Sequence, residues 1–388
     1  MDRIRVGVLG VGTAALRAHL PALSEVSEFE LVALCDRSEE QLKRTVGRWP
    51  VRHTFTDVNT FFRSPGIDAV IIATPPDSHC AAACQAISAH KHVLIEKPLA
   101  RTFSECRSMV ELARTNGITL LVGHEKRFHP SLEKVRSILD AGDIGKPFYA
   151  GIHWASNAKM DPEHLIPEGY RAGYEWRWRD PSVGGGILQD HLPHYCDLIR
   201  HWLKVEPERI YALDMNVARD WLGWPVKESV WEDLALAVVR FSGGFVMRFE
   251  TGTVGRSLSP LFSQGTGVGE WTEYGYILGS QGQMVFDLLP WDSSENGRIA
   301  VWRLKAATEE ARGWSFVEQP EPARAVGSPA GASHAMFTGQ LRAFAKAIRR
   351  EPHRAATGED GAICVALVEA AYQSVRTHQE CDVSKSWE

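Results

Sequence analysis

The sequence lacks the features that mark membrane, disulfide-bonded and nucleic-acid-binding proteins. No apolar run approaches the length that crosses a membrane. The seven cysteines are scattered and include no Cys-x-x-Cys, which is typical of reduced thiols and not of a disulfide framework or zinc site. The formal net charge of −5 argues against nucleic acid or an anionic membrane as a main partner. No leader pattern precedes the first apolar segment, so we expect a cytoplasmic protein.

Strand-like and helix-like segments alternate through the first third of the chain. A length of 388 residues exceeds one ordinary core, so we expect two domains. The alternation predicts right-handed crossovers and a doubly wound parallel sheet over residues 1–123. We predict its strands at 4–9, 31–35, 69–73, 93–95 and 119–123.

After Gly123 the pattern becomes that of an α+β domain, which we assign to residues 124–388. We expect a mostly antiparallel sheet with a hairpin turn at 242–244. Its predicted strands are 148–154, 210–213, 233–241, 245–251 and 276–278. Composition predicts a mobile loop at 252–275 and a tether at 318–333. The closing helices, at about 334–350 and 359–377, are candidates for packing back towards the N-terminal domain.

A glycine pattern, Gly10-x-Gly12-x-x-Ala15, follows the first predicted strand. Gly10 permits a tight turn, and Gly12 lets a pyrophosphate approach the backbone where Thr13 and Ala14 open a helix. The strand before it and the helix after it favour a dinucleotide-binding Rossmann domain. A pair of turn glycines without a ligand is the alternative.

Asp36 ends the next predicted strand, 24 positions after Gly12, which is close to the spacing of a ribose-binding acidic residue. It would accept hydrogen bonds from ribose hydroxyls and repel a 2′-phosphate, so we expect NAD. NADP is the alternative cofactor, because Arg37 could bind a 2′-phosphate. Asp36 could instead be a turn or capping residue.

Two further strand ends carry polar residues expected at the same sheet edge. Thr74 and Pro75 end one strand, and His79 follows as a cofactor contact or a capping or surface histidine. Glu96 and Lys97 end the next apolar run, where a lysine could relay a proton and stabilise charge. An exposed strand-end lysine is the alternative.

Asp190 and His194 lie four residues apart and would share one face of a helix opened by three glycines. Histidine titrates near neutral pH and could accept a proton from an alcohol. A capping aspartate and a packing histidine are the alternative. Pro193 would bend or shorten this helix.

The spacing of His191, His194 and His201 fits no standard metal site, so we predict no metal site.

Aromatic residues precede the glycines. Their rings could cover the apolar C–H faces of a sugar or pack in an ordinary core. These residues are Trp154, Tyr174, Trp176 and Trp178.

The chain resembles the Gfo/Idh/MocA family of oxidoreductases nearly end to end. The motifs that carry the resemblance are Gly10-x-Gly12, Ala73-Thr74-Pro75-Pro76 with His79, Glu96-Lys97-Pro98-Leu99-Ala100, Gly123-x-x-x-Arg127-Phe128-x-Pro130, Gly185-Gly186-x-Leu188-x-Asp190-x-x-x-His194-x-x-Asp197 and Thr357-Gly358-Glu359-Asp360-Gly361.

The resemblance implies an open sheet in the second domain that forms a dimer or tetramer face. It also implies that Lys97, Asp190 and His194 serve the chemistry, and it places Glu96 with the cofactor and Arg127 with both cofactor and substrate. His191 stands where the family commonly has glycine and could add a substrate contact. Residues 155–180 are long for the family.

These features predict a nicotinamide-dependent oxidoreductase that acts on a secondary alcohol of a sugar, cyclitol or related polyol. One alternative is glycoside cleavage through oxidation, elimination and re-reduction with recycled NAD. Another is a non-catalytic NAD-binding sensor, since a fold alone does not determine function.

Overall fold

A computed structural model describes residues 3–156, 180, 185–224, 229–254, 271–288, 297–304, 313–318 and 332–383. They divide into two compact units. The first lies within Met1–Phe128 and Ser333–Val365, and the second within His129–Ala332 and Ala366–Ser386. The first boundary follows Phe128, and residues 333–365 group with the first unit. Among the described residues, no helix has both the length and the apolar character required to span a bilayer.

The first unit is built on a seven-stranded sheet. Its strands are β1 (Ile4–Leu9), β2 (Phe29–Cys35), β3 (His53–Phe55), β4 (Ala69–Ile72), β5 (His92–Glu96), β6 (Leu120–Gly123) and β15 (Ala356–Thr357). Their order is β15-β6-β5-β4-β1-β2-β3, and the pairs are parallel except β15 with β6. The expected doubly wound Rossmann sheet is confirmed. Strand β3 was not anticipated, because three exposed or half-exposed residues carry little apolar signal.

Helices surround this sheet. They are α1 (Leu20–Leu23) after a π-helical turn at Ala15–His19, α2 (Glu39–Val46), α3 (Val58–Arg63), α4 (His79–Ser88), α5 (Phe103–Asn116) and α9 (Ala332–Ile348). The strands Ala69–Ile72 and Val93–Ile95 are fully buried, as expected where helices cover both faces of a parallel sheet. Phe344 of α9 stacks on Phe29 of β2, with ring centroids 5.8 Å apart.

A nine-stranded sheet forms the second unit. Its strands are β7 (Pro147–Ser156), β8 (Pro207–Met215), β9 (Leu234–Phe241), β10 (Val246–Gly252), β11 (Trp271–Gly279), β12 (Gly282–Leu288), β13 (Ile299–Arg303), β14 (Gly313–Phe316) and β16 (Cys381–Asp382). The order is β14-β13-β12-β11-β7-β10-β9-β8-β16. Among the described strands of this second sheet, only the β7–β10 pair is parallel, so the expected mostly antiparallel sheet is confirmed.

The remaining α-helices of the described residues are α6 (Pro130–Asp140), α7 (Ile187–Leu203), α8 (Val217–Asp220) and α10 (Gly358–Thr377). Helix α10 begins in the first unit and ends in the second. Helix α7 packs against β7, β9 and β10. Pro193 lies inside this 17-residue helix without shortening it, which corrects one of the two expectations for that residue.

Two predictions about irregular segments need correction. Strand β11 begins at Trp271, inside the expected loop at 252–275, and it pairs with both β7 and β12. Helix α9 begins at Ala332, inside the expected tether at 318–333. Residues 255–270 and 319–331 lie outside the described residues. In both cases the residues just before the element are rich in glycine and small residues, which concealed where the strand and the helix begin.

Candidate active site

The glycine loop after β1 needs glycine at its first position. Gly10 has a φ of +86°, and a Cβ there would lie 2.7 Å from the carbonyl oxygen of Ala73. A Cβ on Gly12 would meet no described atom within 4 Å apart from its chain neighbours. The loop therefore presents Gly12 to open space, just before Thr13 and Ala14 begin the helical turn. A pyrophosphate fits this opening beside the backbone amides.

Asp36 follows β2 and is hydrogen-bonded to the glycine loop after β1. Its carboxylate accepts hydrogen bonds from the backbone N–H of Val11 and of Ser38, each at 2.9 Å. Ser38 caps α2 by accepting from the N–H of Gln41. The carboxylate is thus held in place, and its remaining lone pairs are able to accept ribose hydroxyls. Arg37 beside it is exposed.

The ends of β4 and β5 are joined by a buried histidine. The two ring nitrogens of His79 lie 2.8 Å from the carbonyl oxygen of Thr74 and 2.9 Å from that of Pro98. The side chain is fully buried, and this burial lowers its pKa. His79 is therefore placed to position Thr74 and Pro75 from below the surface of the site.

Lys97 follows β5 and is half-buried, with a cis peptide bond to Pro98. The carboxylate of the preceding residue, Glu96, accepts a hydrogen bond of 3.3 Å from the backbone N–H of Lys97. Its other oxygen lies 2.7 Å from Nε2 of His19, a buried residue of the π-helical turn. His19 is not recognisable from the sequence, because a lone histidine in an apolar helical stretch has no distinctive spacing.

Glu96 and Glu125 are buried carboxyl groups whose pKa values shift in opposite directions. Burial alone would raise the pKa of Glu96, but hydrogen bonding and charge from His19, followed by the charge of Lys97, lower it below its usual value. Burial and the charge of Glu96 together raise the pKa of Glu125 to about 7. At neutral pH the negative charge therefore resides mainly on Glu96.

Arg127 is buried in an ion pair. It donates to the carboxylate of Asp360 at 3.0 Å and to the carbonyl oxygen of Arg354 at 3.1 Å. The backbone N–H of Thr357 donates to the same oxygen of Asp360. Arg127 therefore holds the start of α10 within the first unit.

Asp190 and His194 lie one turn apart in α7, on one face as predicted. His191 lies between them and is buried. Its Nδ1 is 2.8 Å from the hydroxyl of Thr251, and its Nε2 is 3.7 Å from the carboxylate of Asp190. His191 is therefore placed to orient Asp190.

The start of α7 rests on a buried network. The N–H of Gly186 donates to the hydroxyl of Tyr372 at 3.0 Å, and the N–H of Leu188 donates to Glu232 at 2.9 Å. A Cβ on Gly185 would lie 2.4 Å from that hydroxyl, so the glycine allows the close approach. Burial raises the pKa of Glu232 to about 7. No sequence pattern identifies this carboxyl group, because Glu232 lies in a loop that follows α7 at a distance along the chain.

One member of the predicted aromatic group lies within the described residues. Trp154 of β7 packs against His191, with ring centroids 3.8 Å apart and an interplanar angle of 41°. Tyr174, Trp176 and Trp178 lie outside the described residues.

Two family models match the chain consecutively. The oxidoreductase family model with an NAD-binding Rossmann fold matches residues 4–124, and the GFO/IDH/MocA C-terminal domain model matches residues 132–284. The chain belongs to the Gfo/Idh/MocA family of oxidoreductases. The opening at Gly12 and the braced carboxylate of Asp36 fit NAD, which the family's Rossmann domain binds. The expected family, cofactor and enzyme class are confirmed.

Two curated relatives illustrate the range of the family. The 1,5-anhydro-D-fructose reductase of Ensifer adhaerens is 26% identical over 381 residues, which cover 98% of each chain. The myo-inositol 2-dehydrogenase of Thermotoga maritima is 24% identical over 62% of this chain and 66% of its own length. Other relatives align over 52–61% of their own length.

A solved structure agrees over the whole fold. Levoglucosan dehydrogenase in complex with NADH and levoglucosan matches with a TM-score of 0.79 at 22% identity, covering 99% of this chain and all of that one. At this identity the match supports the fold.

Proposed function

We propose that this oxidoreductase transfers hydride between a nicotinamide and a secondary alcohol or ketone of a sugar, cyclitol or related polyol. The position of Lys97 carries the proposal. It follows β5, on the same carboxyl edge of the parallel sheet as the Gly10–Gly12 loop and Asp36. Ligands of doubly wound sheets bind at this edge. The names of the relatives, which concern an anhydro sugar, an inositol and levoglucosan, support the substrate class.

Each proposed catalytic side chain has a distinct task. NAD supplies the hydride acceptor when it is bound. His194 accepts the hydroxyl proton during oxidation and returns it during reduction. Lys97 donates a hydrogen bond to the reacting oxygen and stabilises its developing charge. Asp190 orients the substrate or His194, and Trp154 and Arg127 contribute to substrate binding.

A substrate screen tests this proposal. Cyclitols, pyranoses, anhydro sugars and their keto forms are incubated with NAD(H) or NADP(H), and the absorbance of the reduced nicotinamide is followed. The Lys97→Ala variant controls for contaminating dehydrogenases. We expect turnover with a ring polyol. Faster turnover of acyclic alcohols or 2-hydroxy acids would contradict the substrate class, whereas sugar release without net NADH would indicate glycoside cleavage. Bound NAD without any turnover would indicate a sensor.

We further propose that the protein forms homodimers or homotetramers through the outer face of the nine-stranded sheet. Tyr211 pairs across the strands with Val238, and Leu213 pairs with Leu236. These four side chains are 38–45% exposed. A contiguous exposed apolar patch favours association, and a second copy can supply the same surface.

A further inference from the structure

His19 belongs to the helical segment that begins at the nucleotide loop. It is 1% exposed, and the ring of Phe337 packs edge-on against it with centroids 5.2 Å apart. The surrounding turn, Ala15–His19, is π-helical. Such turns are rare and often occur at functional sites. The imidazole is thus fixed by packing and points its Nε2 at Glu96.

Glu96 connects this imidazole to Lys97. One carboxylate oxygen lies 2.7 Å from Nε2 of His19, and the other accepts the backbone N–H of Lys97 at 3.3 Å. Gly123 of the neighbouring strand closes the remaining side, since a Cβ there would lie 3.2 Å from the second oxygen. The carboxylate is therefore confined on three sides at the end of β5.

The direction of the hydrogen bond follows from the charges. Because the pKa of Glu96 is lowered, its carboxylate is ionised at neutral pH and can only accept hydrogen bonds. Nε2 of His19 therefore carries the hydrogen and donates it. The ionised carboxylate also attracts the ammonium group of Lys97, while Glu125 nearby is more readily protonated.

We propose that His19 is a positioning residue that holds Lys97 in its catalytic position by fixing the carboxylate of Glu96. The contact also links the helical segment after the nucleotide loop to the strand end that carries Lys97. This inference rests on the proposed catalytic function of Lys97. Misplacement of a reacting group by about 1 Å can cost about 10²-fold in rate.

Two amide substitutions separate the hydrogen bond from the bulk of the ring. In His19→Gln the amide nitrogen can occupy the position of Nε2, whereas in His19→Asn it reaches only the position of Nδ1. We expect kcat to fall about 10- to 100-fold in His19→Asn and to stay within about threefold in His19→Gln. The dissociation constant for NAD, measured by fluorescence, should change little in both. Equal kcat values in the two variants would overturn the proposal.

A double-mutant cycle shows whether His19 acts through Lys97. If it does, His19→Asn should lower kcat little further when Lys97 is already alanine. Independent, multiplying losses would contradict the proposal. A Lys97→Ala variant with normal turnover would instead refute the proposed function, so the two failures are distinguishable.

Two further variants address folding. Phe344→Leu loosens the packing of α9 on Phe29 of β2 but keeps both His19 and its ring partner Phe337, so we expect a lower Tm with kcat unchanged. If His19→Asn does not fold, Glu96→Gln tests the same link, because it keeps the side-chain shape and removes the charge. We expect a loss of kcat of about 10-fold or more. Full turnover in Glu96→Gln would refute the role of this carboxylate.

Discussion

The hydroxyl of Tyr372 donates a hydrogen bond of 2.8 Å to the carboxylate of Glu232, beneath the first turn of the helix that carries Asp190 and His194. Burial and the charge of Glu232 raise the pKa of this phenol well above its usual value, so it remains a donor. The pair supports the backbone on which the proposed acid–base residue depends.

Glu232 should make stability depend on pH. Its pKa in the folded protein is about 7, above the usual carboxyl range, so between that range and pH 7 the folded state holds a proton that the unfolded state releases. The free energy of unfolding should therefore fall as pH rises through this window and level off above it. Glu232→Gln keeps the acceptor oxygen and should reduce the fall by about 1–3 kcal/mol.

Denaturant titrations between about pH 5 and pH 8 measure this effect. The exposed Glu111→Gln is the control, because its pKa is lowered by Arg114 and its titration window lies at lower pH. If the free energy of unfolding changes with pH in the same way in the wild type and in Glu232→Gln, the pKa of Glu232 is not raised in the folded protein.

Cofactor preference should depend on Asp36. Its braced carboxylate meets the ribose hydroxyls of NAD but would repel a 2′-phosphate, so kcat/KM should be higher with NAD than with NADP. Asp36→Ala should narrow the difference, measured with one substrate and both cofactors. A clear preference for NADP that persists in Asp36→Ala would contradict this role of Asp36 and would indicate that Arg37 determines the cofactor preference.

Loss of Lys97 should mainly affect the chemical step. We expect Lys97→Ala to lower kcat by about 10²–10⁴, the usual range for an acid–base or electrostatic group, with NAD binding less affected. Steady-state kinetics and a separate NAD titration measure the two effects. Lys91, which donates to backbone carbonyl oxygens of Ser64 and Ile67, provides a control lysine whose substitution should leave kcat unchanged.

His194 should control the pH dependence of alcohol oxidation. A neutral imidazole is needed to accept the proton, so kcat/KM should rise with pH across the range in which histidine ordinarily deprotonates. His194→Ala should flatten this rise and slow oxidation, whereas Trp176→Ala and Trp178→Ala should mainly raise KM. The hypothesis is falsified if His194→Ala keeps both the pH profile and the rate.

Self-association should depend on the centre of the outer sheet face. Leu236→Glu places a charge between the exposed apolar side chains of β8 and β9 and should lower the mass measured by light scattering. Phe316→Glu, a change of the same type at the exposed end of the sheet, should leave the mass unchanged. A wild-type protein that is monomeric at every concentration would exclude this interface.

The sequence by itself determined the features that depend on short-range spacing. Apolar runs separated by helical stretches predicted the Rossmann sheet, and the positions of Gly10, Gly12 and Asp36 predicted its nucleotide loop. The four-residue interval from Asp190 to His194 predicted their common helix face. Each of these features follows from local geometry that a periodic pattern reveals.

Only the tertiary structure decided which side chains support the candidate catalytic residues. His19 and Glu96 lie 77 positions apart in the chain, and Glu232 and Tyr372 lie 140 apart. The same applies to His79, whose buried ring joins two strand ends. Such contacts depend on how strands and helices pack, and burial of a polar group in the folded protein then determines its charge.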